Sequence, residues 1–141
     1  MPELVHLRVY LDSNVLFSAS LNEYSRFLDF WRLREVTPAL SHYAIDEVTR
    51  NIRLPAHDAR LANLLRRTEI VSDSDSRVIP SSVRLVSKDR PILAAAIAAS
   101  VDYLATGDKN HWSHLYSTTI SGVFVIRPGD FLDLYEDRLP E

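Results

Sequence analysis

At 141 residues, 46% of them hydrophobic and 25% charged, the chain has the size and balance of one domain with a buried core, residues 1–141, and no room for a second. It contains no cysteine, which excludes disulfides, thiolate metal sites and thiol nucleophiles and suits a reducing compartment. A formal net charge of −3 weighs against packing or regulating DNA through a broad basic field. It weighs less against a site whose acids hold divalent cations, since two bound Mg²⁺ would carry the sum from −3 to about +1.

The opening MPELVHLRVYLDSNV has no basic stretch leading into an apolar one, and the longest low-charge run, Pro91 to Val101, is too short to cross a bilayer. A soluble, cytoplasmic protein with no membrane partner is therefore expected. Leu7 to Leu11, β-branched and aromatic among apolar neighbours, predicts a buried strand with Asp12 at its C-terminal end. Phe27, Leu28, Phe30, Trp31 and Leu33 predict an apolar helix stripe over Tyr24 to Arg34, followed by a short strand around Glu35 to Ala39. Ser41 is placed to cap a helix to about Arg53 that buries Ile45, Val48 and Ile52, and Ala56 to Arg67 predicts another with Leu61, Leu64 and Leu65 inward.

Ile70 and Val71 suggest a short strand, and Ser72 to Ser82 a mobile loop rich in Ser and Asp. Pro91 opens a helix that continues through Ile92, Leu93, the alanines and Ile97. Asp102 to Thr106 predicts a strand ending in Gly107 and Asp108, His111 to Tyr116 a short helix, Val123 to Ile126 an edge or final strand, and Pro128 to Tyr135 a last helix. This alternation predicts an α/β fold with a mostly parallel sheet, helices on both faces, and a site at the carboxyl ends of the strands. The apolar and aromatic Phe124, Phe131, Leu132, Leu134 and Tyr135 leave room for a dimer or partner surface.

Such a sheet would gather four acids: Asp12 and Asp108 past two strands, Asp89 before a helix, and Glu47 on a helix. Carboxylates sharing a pocket repel and raise one another's pKa, so the cluster is tolerable mainly around hard cations such as Mg²⁺ or Mn²⁺. Two such ions could activate water and stabilise the oxyanions of phosphodiester cleavage. Each acid also has a plain structural reading. Asp12 could end a strand in an Asx turn with Asn14, and Asp89 could complement a helix N-terminus, with Arg90 as the N-cap and the Asp89 carboxylate left free. Glu47 could be a solvated acid and Asp108 a turn residue after Gly107. Asp102, six residues before Asp108, would lie about 20 Å from it along the strand and is excluded. His111 and His114 have helical ligand spacing but no third soft ligand, and are expected to be surface or core histidines.

Four segments in order, LDSNVLFSA at 11–19, the Glu47–Val48 pair, KDRPILAAAIAA at 88–99 and DYLATGDKNHW at 102–112, together resemble the PIN-domain family, particularly its VapC-like toxins. The resemblance implies a three-layer α/β/α sandwich and a metal-dependent endoribonuclease using Mg²⁺ or Mn²⁺. It matches Asp12, Glu47, Asp89 and Asp108 to the catalytic and metal-binding acids, and Asn14 and Thr106 to polar residues that support them. It further implies an RNA substrate, an antitoxin partner and room for a homodimer, with Lys88, Arg90 and Lys109 placed to contact phosphates. Two other readings remain. A non-catalytic interaction module is disfavoured by the complete acid set; a phosphotransfer or phosphatase domain with Asp12 as nucleophile is disfavoured by the D-x-N order and the lack of a matching lysine.

Overall fold

The computed structural model describes residues 3–141. Its strands form one six-stranded sheet in the order β3-β2-β1-β4-β6-β5. Strand β1 (Leu7–Leu11) lies inside it, parallel to β2 (Val36–Ser41) on one side and to β4 (Tyr103–Ala105) on the other. Val9, Tyr10 and Leu11 are fully buried, as an apolar run covered on both faces must be. Strand β3 (Glu69–Val71) extends the sheet beyond β2, and β6 (Val123–Ile126) extends it beyond β4. Pro38 sits within β2, but β3 pairs only from Ala39 onward, so at Pro38 that side is still an edge where a proline is tolerated.

Helices cover both faces and complete the expected three-layer α/β/α arrangement: α1 (Ser13–Leu21), α2 (His42–Asn51), α3 (Pro55–Leu65), α4 (Arg90–Ala98), α5 (Lys109–Trp112) and α6 (Pro128–Leu134). Helix α1 packs against α2 and α3, and α4 against the loop that follows β3. Ala94, Ala95 and Ala96 are fully buried along α4, where small side chains let the helix lie close to its neighbours.

The structure departs from the sequence expectations in several places. The segment after Asp12 is helix α1, where the sequence reading had only a turn; Val15, Leu16 and Ala19 bury one face, and the Ser20 hydroxyl folds back onto the Leu16 carbonyl. The helix expected over Tyr24 to Arg34 is a six-residue 3-10 helix, Arg26–Trp31, capped by Ser25. A three-residue turn superimposes Phe27 on Phe30, whose rings lie 6.4 Å apart, so the three-residue spacing serves this tighter helix. Helix α2 ends two residues early, with Ile52 extended, and its buried face centres on Ala44 and Val48. Ser41 holds the N-cap position without a side-chain capping bond, its hydroxyl pairing instead with that of Tyr10 at 2.7 Å.

The 72–82 segment is irregular as expected, but it contains a 3-10 turn, Ser76–Val78, and buries Ile79. Strand β6 is the final strand of the chain, as one alternative had it, but not the edge, because the two-residue β5 (Thr119–Ile120) pairs antiparallel outside it. The C-terminal aromatics are not a free surface either. Phe131 and Leu132 are core, Phe131 stacks on Phe30 and meets Tyr103 edge-on, Phe124 and Tyr135 are half-buried, and only Leu134 of the five is exposed.

Candidate functional site

From β1 the chain steps outward through β2 to β3, then returns to the other side of β1 for β4, so the strand order reverses between β1 and β4. At such a switch point the loops leaving neighbouring strands part and open a crevice at the carboxyl ends. Asp12 leaves β1 there and the run Thr106–Gly107–Asp108 leaves β4, tied together by the Asp12 amide donating to the Ala105 carbonyl at 3.0 Å. Helix α4 brings Asp89 to the same place and α2 brings Glu47.

Asp12 is only 5% exposed, and both its oxygens are engaged. Thr106 Oγ1 donates to Oδ2 at 2.7 Å, and the Ser13 amide donates to Oδ1 at 2.7 Å. Burial pushes the Asp12 carboxyl above its ordinary range; the Thr106 hydroxyl and Ser13 amide pull it back, and the charges of Asp89 and Glu47 push it up again. Ser13 Oγ lies 3.3 Å from both Asp12 Oδ1 and Glu47 Oε1, so its single proton can serve either carboxylate. Thr106 thus stands where the sequence placed a supporting hydroxyl. Ser13, which the sequence reading passed over, bridges two of the acids.

Asp89 and Asp108 sit one residue before α4 and α5. The expectation that Arg90 would be the N-cap is corrected: Asp89 takes that position and Arg90 is already helical, with Pro91 next in the first turn. Neither acid spends its carboxylate on the helix amides, which a residue present only to cap would do. Both turn instead to His111, whose Nδ1 lies 2.7 Å from Asp89 Oδ2 and 3.0 Å from Asp108 Oδ2. His111 is therefore held between the two acids, contacts that the expectation of a surface or core histidine did not include. The missed signal was D-x-x-H, which places His111 three residues after Asp108 on the same short helix. His114, its expected helical companion, bonds the Arg84 carbonyl at 2.6 Å and takes no part. Asp102 also stays outside, accepting from the Arg8 amide at 2.8 Å at the opposite end of β4.

Two tyrosines border the acids. The Tyr43 hydroxyl donates to the Lys88 carbonyl at 2.8 Å, and Tyr116 donates to the Thr106 carbonyl at 2.7 Å. Burial raises both phenol pKa values; Glu47 and Asp89 add to the shift at Tyr43, while at Tyr116 Arg127 opposes it before Asp108 and Asp12 add to it. A cavity of about 380 Å³ opens beside the acids, lined by Ser13, Asn14, Phe17, Glu47, Val48 and Asn51 among others. Asn14 faces this space and lies close to Gly107; none of its side-chain bonds reaches an acid among the described residues. Lys88 and Lys109 are exposed and Arg90 is half-buried beside the acids they flank.

Asp89, Asp108 and His111 each offer a ligand atom, all within 4.8 Å of one another, a spacing that one divalent ion could bridge. Asp12 and Glu47 lie close enough to add negative potential without belonging to that triplet. The donor chemistry fits a hard or borderline cation: carboxylate oxygens dominate, one imidazole nitrogen joins them, and no thiolate is present.

The profile of the PIN domain matches residues 8–110, a stretch that includes Asp12, Glu47, Asp89 and Asp108. Among solved structures, a chain of VapBC2 from Rickettsia felis, crystallised bound to a DNA fragment from its promoter, is similar over 86% of this chain and 98% of its own, with 16% identity and a TM-score of 0.62. No curated protein sequence matches significantly.

Proposed function

This chain belongs to the PIN-domain family, and from that premise we propose that it is a divalent-metal-dependent endoribonuclease that hydrolyses RNA phosphodiester bonds as the toxin of a toxin–antitoxin pair. The supporting observation is the gathering of Asp12, Glu47, Asp89 and Asp108 at the switch point, with Asp89 and Asp108 free of capping duty. Asp12, Asp89 and Asp108 are the main ligands for Mg²⁺ or Mn²⁺, with Glu47 binding through water or orienting the attacking water. The bound ion supplies Lewis acidity and lowers the pKa of water.

The protein's own part is positional. Thr106 and Ser13 hold Asp12 in one orientation, and their donated hydrogen bonds favour its ionised, ligating form against the burial that opposes it. Glu47, half-buried on the wall of the 380 Å³ cavity, faces the space through which substrate and water arrive. Lys88, Arg90 and Lys109 would contact phosphates and set the RNA's register. Single-stranded RNA or an exposed loop suits an open crevice that reads backbone geometry.

The toxin assignment draws support from the VapBC2 complex to which the similar Rickettsia felis chain belongs. An antitoxin protein is the corresponding partner, a homodimer is compatible, and the activity is that of a single domain in the cytoplasm. Purified protein should cleave RNA only with a divalent ion present. Asp12→Asn and Asp108→Asn should each abolish cleavage while leaving the circular dichroism spectrum intact. Cleavage that persists in EDTA, in a preparation shown to be free of contaminating nuclease, overturns the reading.

A further inference from the structure

We infer that His111 is a nitrogen ligand to the cation and makes this site favour a first-row transition ion over Mg²⁺. The inference rests on the metal-dependent reading and adds to it a donor that the acid set alone does not contain. In an octahedral site with bonds of about 2.1 Å, neighbouring ligand atoms stand about 3 Å apart. His111 Nδ1 stands 2.7 Å from Asp89 Oδ2 and 3.0 Å from Asp108 Oδ2, and the three ligand atoms all lie within 4.8 Å of one another. The nitrogen therefore has ligand-to-ligand spacing to both carboxylates.

The backbone fixes this placement. Helix α5 begins directly after Asp108, so His111 returns over Asp108 one turn later, while α4 presents Asp89 from the other side. The His111 side chain is 29% exposed against 9% for Asp89, which puts it on the open rim where an ion enters. Mg²⁺ demands oxygen ligands and gives up its water reluctantly, whereas mixed imidazole and carboxylate sites are the province of transition ions. One imidazole facing two carboxylates should therefore separate Mn²⁺ from Mg²⁺, a distinction the acids by themselves would make weakly.

The substitution His111→Asn tests this, because the amide places an oxygen near the position of Nδ1 and keeps a hydrogen-bonding side chain. Mn²⁺ binding to RNA-free protein is followed by electron paramagnetic resonance, with Mg²⁺ affinity read by competition. Wild-type protein should favour Mn²⁺ and show ¹⁴N modulation in the electron spin echo of bound Mn²⁺. His111→Asn should lose the modulation and bind Mn²⁺ at least roughly tenfold more weakly, the lower end of what even outer-shell partners are worth, with Mg²⁺ affinity nearly unchanged. His114→Asn, which alters a histidine bonded elsewhere, should match wild type. If His111→Asn weakens both ions in the same proportion and wild type lacks ¹⁴N modulation, His111 merely orients the carboxylates; the inference is then wrong while the metal-dependent reading stands. If wild type binds neither ion, both fall together.

Discussion

Asp12 shows how one side chain can serve a site at the expense of the fold. Because burial raises its pKa, the folded state holds the Asp12 proton more tightly than the unfolded state does. In metal-free protein the stability linked to this group is thus greatest below the unfolded value and is lost as pH rises through the folded one. Asp12→Asn carries no such titration; its oxygen can still accept from Ser13, and its amide can donate to Thr106 once that hydroxyl turns. In EDTA at pH 7 the variant should melt at or above the wild-type temperature. A saturating divalent ion should reverse the order, since a ligand at 100 times its Kd adds about 2.7 kcal/mol to the protein that binds it. Equal metal-induced shifts in the two proteins would show that Asp12 is not a ligand. At this scale Asp12, Asp89 and Asp108 were legible in the sequence because each stands at the start or end of an element, where patterning reveals boundaries, whereas Glu47, in the middle of α2, was singled out by resemblance. His111 and Ser13 were not, since their role lies in which neighbour they face, and one histidine among five carries no signal until a fold brings Asp89 beside it.

Single residues also tie whole elements together. Arg8 on β1 forks onto Glu69 of β3, with Nε to Oε1 at 2.9 Å and Nη2 to Oε2 at 2.7 Å, and its Nη1 donates at 2.6 Å to the carbonyl of Ala99 at the end of α4. The guanidinium holds Glu69 below the usual carboxylate range, so this pair stabilises the fold above the ordinary value of 4.5 and stops doing so as pH falls through the lowered one. Glu69→Gln should therefore cost roughly 0.2–1 kcal/mol at pH 7, the scale of a solvent-touched pair. In urea titrations the gap from wild type should narrow as pH is taken below 4.5; a constant gap would mean that the charge does not matter. Periodicity made long elements readable: β1 has the expected bounds, α3 overlaps the stretch its apolar stripe predicted, and α4 and α6 lie where their prolines announced them. Helix α1 escaped because the chain passes from strand to helix with Asp12 alone between them, leaving no loop to mark the change. Strand β5, two residues long, has no period to detect, and the 3-10 helix borrows a spacing that a sequence reader assigns to an α-helix.

For the molecule as a whole, a net charge of −3 sets the terms of any encounter with a polyanion. Few phosphates can be neutralised, so RNA binding should be weak without metal, with a shallow dependence on salt. Replacing Lys88, Arg90 and Lys109 with alanine should weaken binding by a similar factor for every RNA sequence tried, as measured by fluorescence anisotropy. Unchanged binding would place the RNA groove elsewhere. The position of β1 has another consequence, for the order in which the protein can be made. Its inner neighbour β4 lies far along the chain, and the Thr106 hydroxyl that holds Asp12 is 94 residues away. During synthesis β1 can pair early with β2, but its other edge stays open until β4 emerges, a long-range closure that slows folding and leaves a strand edge exposed to aggregation. Asp12 and Glu47 are translated well before Asp89, Thr106 and Asp108, so a nascent or prematurely terminated chain holds only half of the acid cluster. The proposed active site is therefore incomplete until its last acid has left the exit tunnel.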